Sequence, residues 1–142
     1  MAYSTITKST TNFTPKLFSG TGSSNAITGV GFKPDITWIR NRTTSEINIL
    51  TDAVRGVTKT LSPSNGAIQT PVAEDLKSFD TDGFTVGTNN RVNKSGDSII
   101  SWNWKAGNLA NATTTSNTDG SITSGVSVNS TGKFSIVKWQ GT

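Results

Sequence analysis

Four tryptophans (Trp38, Trp102, Trp104 and Trp139) and nine carboxylates are the side chains of this 142-residue chain whose types could do chemistry. There is no Cys and no His. Their absence removes disulfides, thiolate and imidazole metal ligands, and every nucleophile–histidine arrangement. General acid–base work is left to a carboxylate pair, a lysine or a tyrosine. Glycoside hydrolysis would need two carboxyl groups flanking the scissile bond, yet only Glu46 and Glu74 are glutamates. Asp35, Asp52 and Asp97 stand at strand ends or in turns, where Asp is common for turn-forming reasons. No pair is marked out, so the expectation is a non-enzyme with no catalytic residue and no cofactor.

The stretch Asp80-Thr81-Asp82-Gly83 opens like a calcium loop. Such a loop places Gly sixth and a bidentate acid twelfth, whereas here Gly83 is fourth and Arg91 twelfth. A plain turn and no metal site are expected. The tryptophans offer a different chemistry: they could stack on pyranose rings while Asn, Thr and Ser side chains bond the hydroxyls. Against this, Trp102 and Trp104 alternate with Ile100 on one strand face, and Trp38 shares a face with Ile36, which reads as core. Alanine at Trp102 would then cost about 3–5 kcal/mol. Trp139 has no neighbour fixed by its pattern, and the ligand-binding residues stay unknown. Five N-x-S/T triplets begin at Asn12, Asn41, Asn93, Asn111 and Asn129, and in so Thr-rich a chain they carry no functional weight.

The elements that must position these groups are strands. Thr 24, Ser 18, Asn 13 and Gly 14 make up 69 residues, types that favour turns and edges over helices, while the apolar remainder is rich in Ile, Val, Phe and Trp. Short apolar stretches are cut by turn chemistry about every 8–12 residues, the pattern of an all-β sandwich or barrel. An antiparallel β-sandwich of jelly-roll or lectin-like type, with at most one short helix, is expected. The helical candidate is "TPVAEDLKSF", with Thr70 as N-cap and Pro71 at the first helical position. "FTPKLFSG", "DITWIRN", "EINILTD" and "DSIISWNWKAG" read as strands, and Asp82-Gly83 as a tight turn between two more. The organisation expected is an N-terminal arm (1–12), a sandwich module (13–107), a loop or linker (108–120) and C-terminal strands (121–142).

The formal charge is +4, with no run of Lys or Arg, so no nucleic-acid footprint is visible. No stretch approaches ~18 apolar residues and the N-terminus lacks an apolar signal region, so no membrane insertion or leader is expected. One self-similarity stands out. "FTPKLFSGT" at Phe13 to Thr21 returns as "FSIVKWQGT" at Phe134 to Thr142, an offset of 121 residues. Self-similarity at a fixed spacing marks a repeated unit.

The segments "GVGFKPDITWIRNR", "DAVRGVTKTLS", "LKSFDTDGFTVG", "SIISWNWKAG" and "NTDGSITSGVSVNSTGKFSIVKWQGT", in this order and spacing, resemble a module of tail-fibre and other virion proteins of marine bacteriophages, notably cyanophages. The resemblance implies a lectin-like sandwich, often in tandem, so that the chain would hold one module and the lead-in strand of a second. It implies no catalytic residues. The function it implies is a structural or adhesive component of the virion tail, assembled in the host cytoplasm and extracellular after lysis. Alternatives are a carbohydrate-binding host-recognition module and a capsid decoration protein. The partners implied are other virion proteins and further copies of the chain, with a trimer favoured and residues 1–12 in the subunit contact, and a host surface glycan.

Overall fold

A computed structural model of the chain describes residues 8–107, 115–117 and 119–141. The fold is all-β and sandwich-like. A 3-10 turn at Ser9–Thr11 leads into β1 (Phe13–Ser19), β2 (Asn25–Ile27), β3 (Ile36–Asn41), β4 (Ile49–Asp52), β5 (Lys59–Ser62) and β6 (Ala67–Pro71). Then follow β7 (Leu76–Asp80), β8 (Gly83–Val86), a single helical turn α1 (Asn90–Asn93) and β9 (Ser98–Trp104). The last strands are β10 (Thr115–Asn117), β11 (Ser124–Asn129) and β12 (Phe134–Trp139). The arm's first seven residues, most of the linker and Asn111 lie outside the described residues, and β10 falls within the stretch read as linker.

Six strands make one antiparallel sheet in the order β1-β9-β3-β4-β5-β6, and two three-stranded sheets, β2-β8-β7 and β10-β11-β12, accompany it. The core lies between the large sheet and β2-β8-β7. Ile39, Ile49 and Ile99 from the first meet Ile27, Leu76, Phe84 and Val86 from the second, with Val92 of α1 and Phe18 closing the cluster. The hairpin β7–β8 is present as read, but it turns through Thr81 and Asp82, one residue before the Asp82-Gly83 pair expected, and Gly83 opens β8 opposite Asp80. Gly83 has φ 151°, and a Cβ there would collide with the Ile27 carbonyl, so glycine is required.

Two sequence readings are corrected. The segment read as a helix from Thr70 is the end of one strand, a turn over residues 72–75 and the start of another: β6 pairs with β5 through Thr60↔Thr70 and Lys59↔Pro71, and β7 pairs with β8. Pro71 is tolerated because β6 is the sheet edge, where a missing N–H costs no ladder bond. The helical turn falls instead at Asn90–Asn93, capped by the Asn89 side chain, which accepts from the Arg91 N–H. The second correction concerns which strand face is buried. The alternation on β9 is as read, but Ile99, Ser101 and Asn103 are the buried residues, and Ile100, Trp102 and Trp104 are half-buried on the outer face.

The inner face can be polar because its polar groups find each other. Across the sheet Thr14, Asn103, Thr37 and Thr51 lie in one row. The Thr37 hydroxyl donates to Asn103 Oδ1 at 3.1 Å, and Asn103 Nδ2 donates to the Thr14 carbonyl at 3.0 Å. Thr60, next to Thr51 across β4–β5, donates to Asp75 Oδ2 at 3.2 Å, and Asp75 is held by Arg91. Buried polar groups cost little once paired in this way.

Candidate functional site

The structure gathers three of the four tryptophans on the outer face of the large sheet. Trp38 and Trp102 are cross-strand partners with ring centroids 5.6 Å apart. Trp104 lies between Phe13, at 5.0 Å, and Phe134, at 6.4 Å. The two phenylalanines that open the repeated motif therefore flank one tryptophan: β12 brings Phe134 onto the face where β1 places Phe13. Further bonds fix the C-terminal sheet to the body. Gly107 N–H donates to Ser127 Oγ at 3.0 Å, and Asn129 Nδ2 donates to Asn12 Oδ1 at 2.8 Å and to the Lys105 carbonyl at 3.1 Å.

That docking turns Ser127, Asn129 and Phe134 toward the body and leaves the opposite face outward, because successive strand residues alternate. The outward face carries Val128, 55% exposed, Val137, 46%, and Trp139, 63%. Beside the edge strand β12 lies a cleft of about 310 Å³ lined by Asp52, Arg55, Gln69, Ile136, Val137, Lys138 and Trp139. Asp52 closes β4 and its Oδ1 accepts the Arg55 backbone N–H at 2.9 Å, while the Arg55 guanidinium pairs with its Oδ2. Arg55 Nε–H is buried and has no partner. Gln69 comes from the exposed edge strand β6. The sequence marked Trp139 and, as a carboxylate, Asp52. Arg55, Gln69 and Lys138 carried no sequence signal, since β4, β6 and β12 meet only through the fold.

The other carboxylates weighed from the sequence hold loops. Asp35 Oδ2 accepts the Ala106 N–H at 2.7 Å. Asp97 accepts from Asn41 Nδ2 and the Thr44 hydroxyl, bonds that hold its carboxyl below the usual aspartate range. Glu74 is lowered by Lys77 and by the Thr88 N–H and hydroxyl. Asp82 takes the N–H groups of Gly31 and Gly29 at 2.6 and 2.9 Å, which lower it too, with Lys16 adding a smaller attraction. Asp80 accepts from Ser78 and Thr85, so the stretch that opens like a calcium loop is an internally bonded hairpin. Glu46 is half-buried in the approach to β4, where its backbone N–H donates to the Thr44 carbonyl at 2.9 Å. Among the described residues, no group of three or more His, Cys, Asp or Glu side chains could hold a metal. No helix among them is long and apolar enough to cross a membrane.

The described N-x-S/T asparagines, Asn12, Asn41, Asn93 and Asn129, make structural hydrogen bonds. Asn93, fully buried, accepts the Thr21 N–H at 2.9 Å and donates to the Gly87 and Ser23 carbonyls, tying the β1–β2 loop to α1. Asn41 accepts the N–H groups of Thr43 and Thr44 while donating to Asp97.

No curated protein and no solved structure matches the chain. The family described as a domain of unknown function (DUF7483) matches over residues 8–142, and the chain belongs to that family.

Proposed function

We propose that the chain is a non-enzymatic structural and adhesive component of a bacteriophage particle, a tail fibre or tail adapter, that acts by presenting contact surfaces. One observation carries the adhesive part. The C-terminal sheet keeps Val128, Val137 and Trp139 together on its outward face, whereas the sandwich beside it buries most of its apolar residues and leaves Leu17, Ile47 and Ile68 exposed on separate elements. Contiguous exposed apolar groups on a soluble protein mark contact sites. The commitment of Asp35, Asp52, Asp75, Asp80, Asp82, Asp97 and Glu74 to internal donors supports the absence of catalysis. The virion setting rests on the resemblance of the sequence to phage tail-fibre modules, and a trimer rests on the same ground.

Light scattering on the purified chain tests this. A stable trimer or larger assembly is the expected result, and a monomer at every concentration reached would remove the self-assembling part. A second reading, a carbohydrate-binding host-recognition module, is favoured by a specific feature: an exposed indole at the rim of a polar cleft. A glycan array with Trp139→Ala as the control tests it. Retention of a saccharide by the parent and not by the variant is expected.

A further inference from the structure

We infer that β12 is a donor strand: when copies of the chain assemble, it lies against β9 of a second copy, in the place which that copy's own β1 fills in the single chain. The inference rests on the self-assembly proposed above and names its contact. Aligned at the offset of 121 residues, Ser135, Val137 and Trp139 fall on Thr14, Lys16 and Phe18. Those three β1 residues stand opposite Asn103, Ser101 and Ile99, the buried face of β9, and Phe18 packs on the core. The β11–β12 register puts Ser135, Val137 and Trp139 on the outward face, where Val137 is 46% and Trp139 63% exposed. The apolar residues that β12 leaves in water are thus the ones whose counterparts in β1 face the interior.

The slot suits the newcomer. β1 turns Lys16 inward and leaves Leu17 58% exposed, whereas β12 in its place sets Val137 inward and Lys138 outward, the order that a sheet with one buried face prefers. Trp139 would meet Phe84, which Phe18 now meets edge-on at 6.1 Å. Phe134 would take the place of Phe13 against Trp104 of the acceptor copy, trading one Trp104 for another. The glycines agree. Gly20 follows β1 and its N–H donates to the Asp97 carbonyl at 2.9 Å; a Cβ there would collide with the Lys94 carbonyl oxygen, so glycine is required. Gly141 is its counterpart, yet nothing lies within 4 Å of a Cβ built on it. Its surroundings in the single chain give no reason for glycine, and the β1 slot does. Exchange replaces main-chain bonds like for like. Donor strand and acceptor groove are different surfaces, so the contact runs head to tail and either closes into a ring or grows as a fibre.

Two measurements on the full chain test this. In the single chain the methyl of Gly141→Ala touches nothing, so the variant should unfold with the parent; in the β1 slot it meets the Lys94 carbonyl, so self-association read by light scattering should weaken by about tenfold or more. The second uses the absence of native cysteine. Ser19 of β1 faces Ser98 of β9, and the counterpart of Ser19 is Gln140; Ser98 and Gln140 are both exposed. Facing residues of antiparallel strands have Cα atoms about 4.5–5.5 Å apart, within disulfide reach. The double variant Ser98→Cys with Gln140→Cys should therefore give covalently linked copies on a non-reducing gel after mild oxidation, far more than either single variant. Parent-like assembly of Gly141→Ala, or no linkage in the double variant, would overturn the exchange while leaving self-assembly in place. Linkage of Gln140→Cys alone as readily as the double variant would mean that β12 pairs with another β12, and would overturn it too. A parent chain that stays monomeric at every concentration reached would remove both the exchange and the self-assembly on which it rests.

Discussion

The sandwich body and the C-terminal sheet differ in how much apolar surface they bury: the body encloses a core and leaves Leu17, Ile47 and Ile68 outside it, while the C-terminal sheet buries almost nothing. In the body, Ile49, Leu76, Phe84, Val86, Val92 and Ile99 are all at 0% exposure. Among described residues 119–141, Ser127 alone is buried, and Ile122, Val128, Val137 and Trp139 are 40–63% exposed. The body therefore carries the folding free energy, since burial of apolar area is the dominant favourable term. The C-terminal sheet is attached through Phe134 on Trp104 and a few hydrogen bonds. A region held in place by so little burial, with apolar groups turned outward, adds little to the stability of the chain, and on the function proposed above its exposed face is the contact surface.

The largest effect that would break this contrast is at Phe84, enclosed by both sheets and 6.1 Å from Phe18. Phe84→Ala should destabilise by about 3–5 kcal/mol in urea unfolding. Asp75→Ala should cost a similar or slightly smaller amount, also in the range of about 3–5 kcal/mol for breaking a buried ion pair. It strands Arg91 and removes the acceptor of the Thr60 hydroxyl. Its double variant with Arg91→Met should recover part of that loss, because no unpaired charge remains. A parent-like melting curve for Asp75→Ala would mean that the polar row is incidental to the body's stability.

The period-2 alternation of β3 and β9 and the Asp-Gly hairpin were legible in the sequence, because each is set by neighbours within a few residues. The choice of buried face was not. On β9 the apolar face, Ile100, Trp102 and Trp104, reads as core by hydrophobicity alone, and Ser101 and Asn103 read as solvent-facing. Packing reversed this, since Asn103 finds Thr37 and Thr14 only after three strands have been brought together. The same holds for Pro71, which reads as the start of a helix until its strand is known to be an edge. The cleft was half legible: Trp139 was visible as an unassigned aromatic, whereas Arg55, in the turn after β4, and Gln69 of β6 join it only through the fold.

Trp102→Ala sharpens the comparison within the body. The side chain is half-buried and packs at a tilt against Trp38, so the loss should be about 2 kcal/mol, below the range for a fully buried aromatic. A loss as large as that of Phe84→Ala would mean that the outer face of the large sheet is covered in solution, as by a second copy. Acid should act on the body as well. Asp97, Asp82 and Glu74 are held below their ordinary values by donated hydrogen bonds. A carboxylate lowered in the folded state contributes stability that is present above its unfolded value, near pH 4. That stability is lost as pH falls through the folded value. Urea midpoints measured from about pH 5 down to about pH 2 should therefore fall, and the fall should be shallower in Asp97→Asn.

The smallest stability effect belongs to the C-terminal sheet. Trp139→Ala removes the largest side chain of β12, yet 63% of it is in water, so the unfolding midpoint should shift by no more than about 0.5 kcal/mol, as at ordinary surface sites. The inward neighbour Phe134 makes the internal control, because it stacks on Trp104 and its truncation should loosen the sheet from the body. If Trp139→Ala matched Phe134→Ala in cost, the outward face would be packed against something and the contrast between the two regions would collapse. If the variant stays as stable as the parent while its self-association or saccharide binding is lost, stability and contact are separated onto two regions of one short chain. The indole is then kept for what it touches outside the molecule.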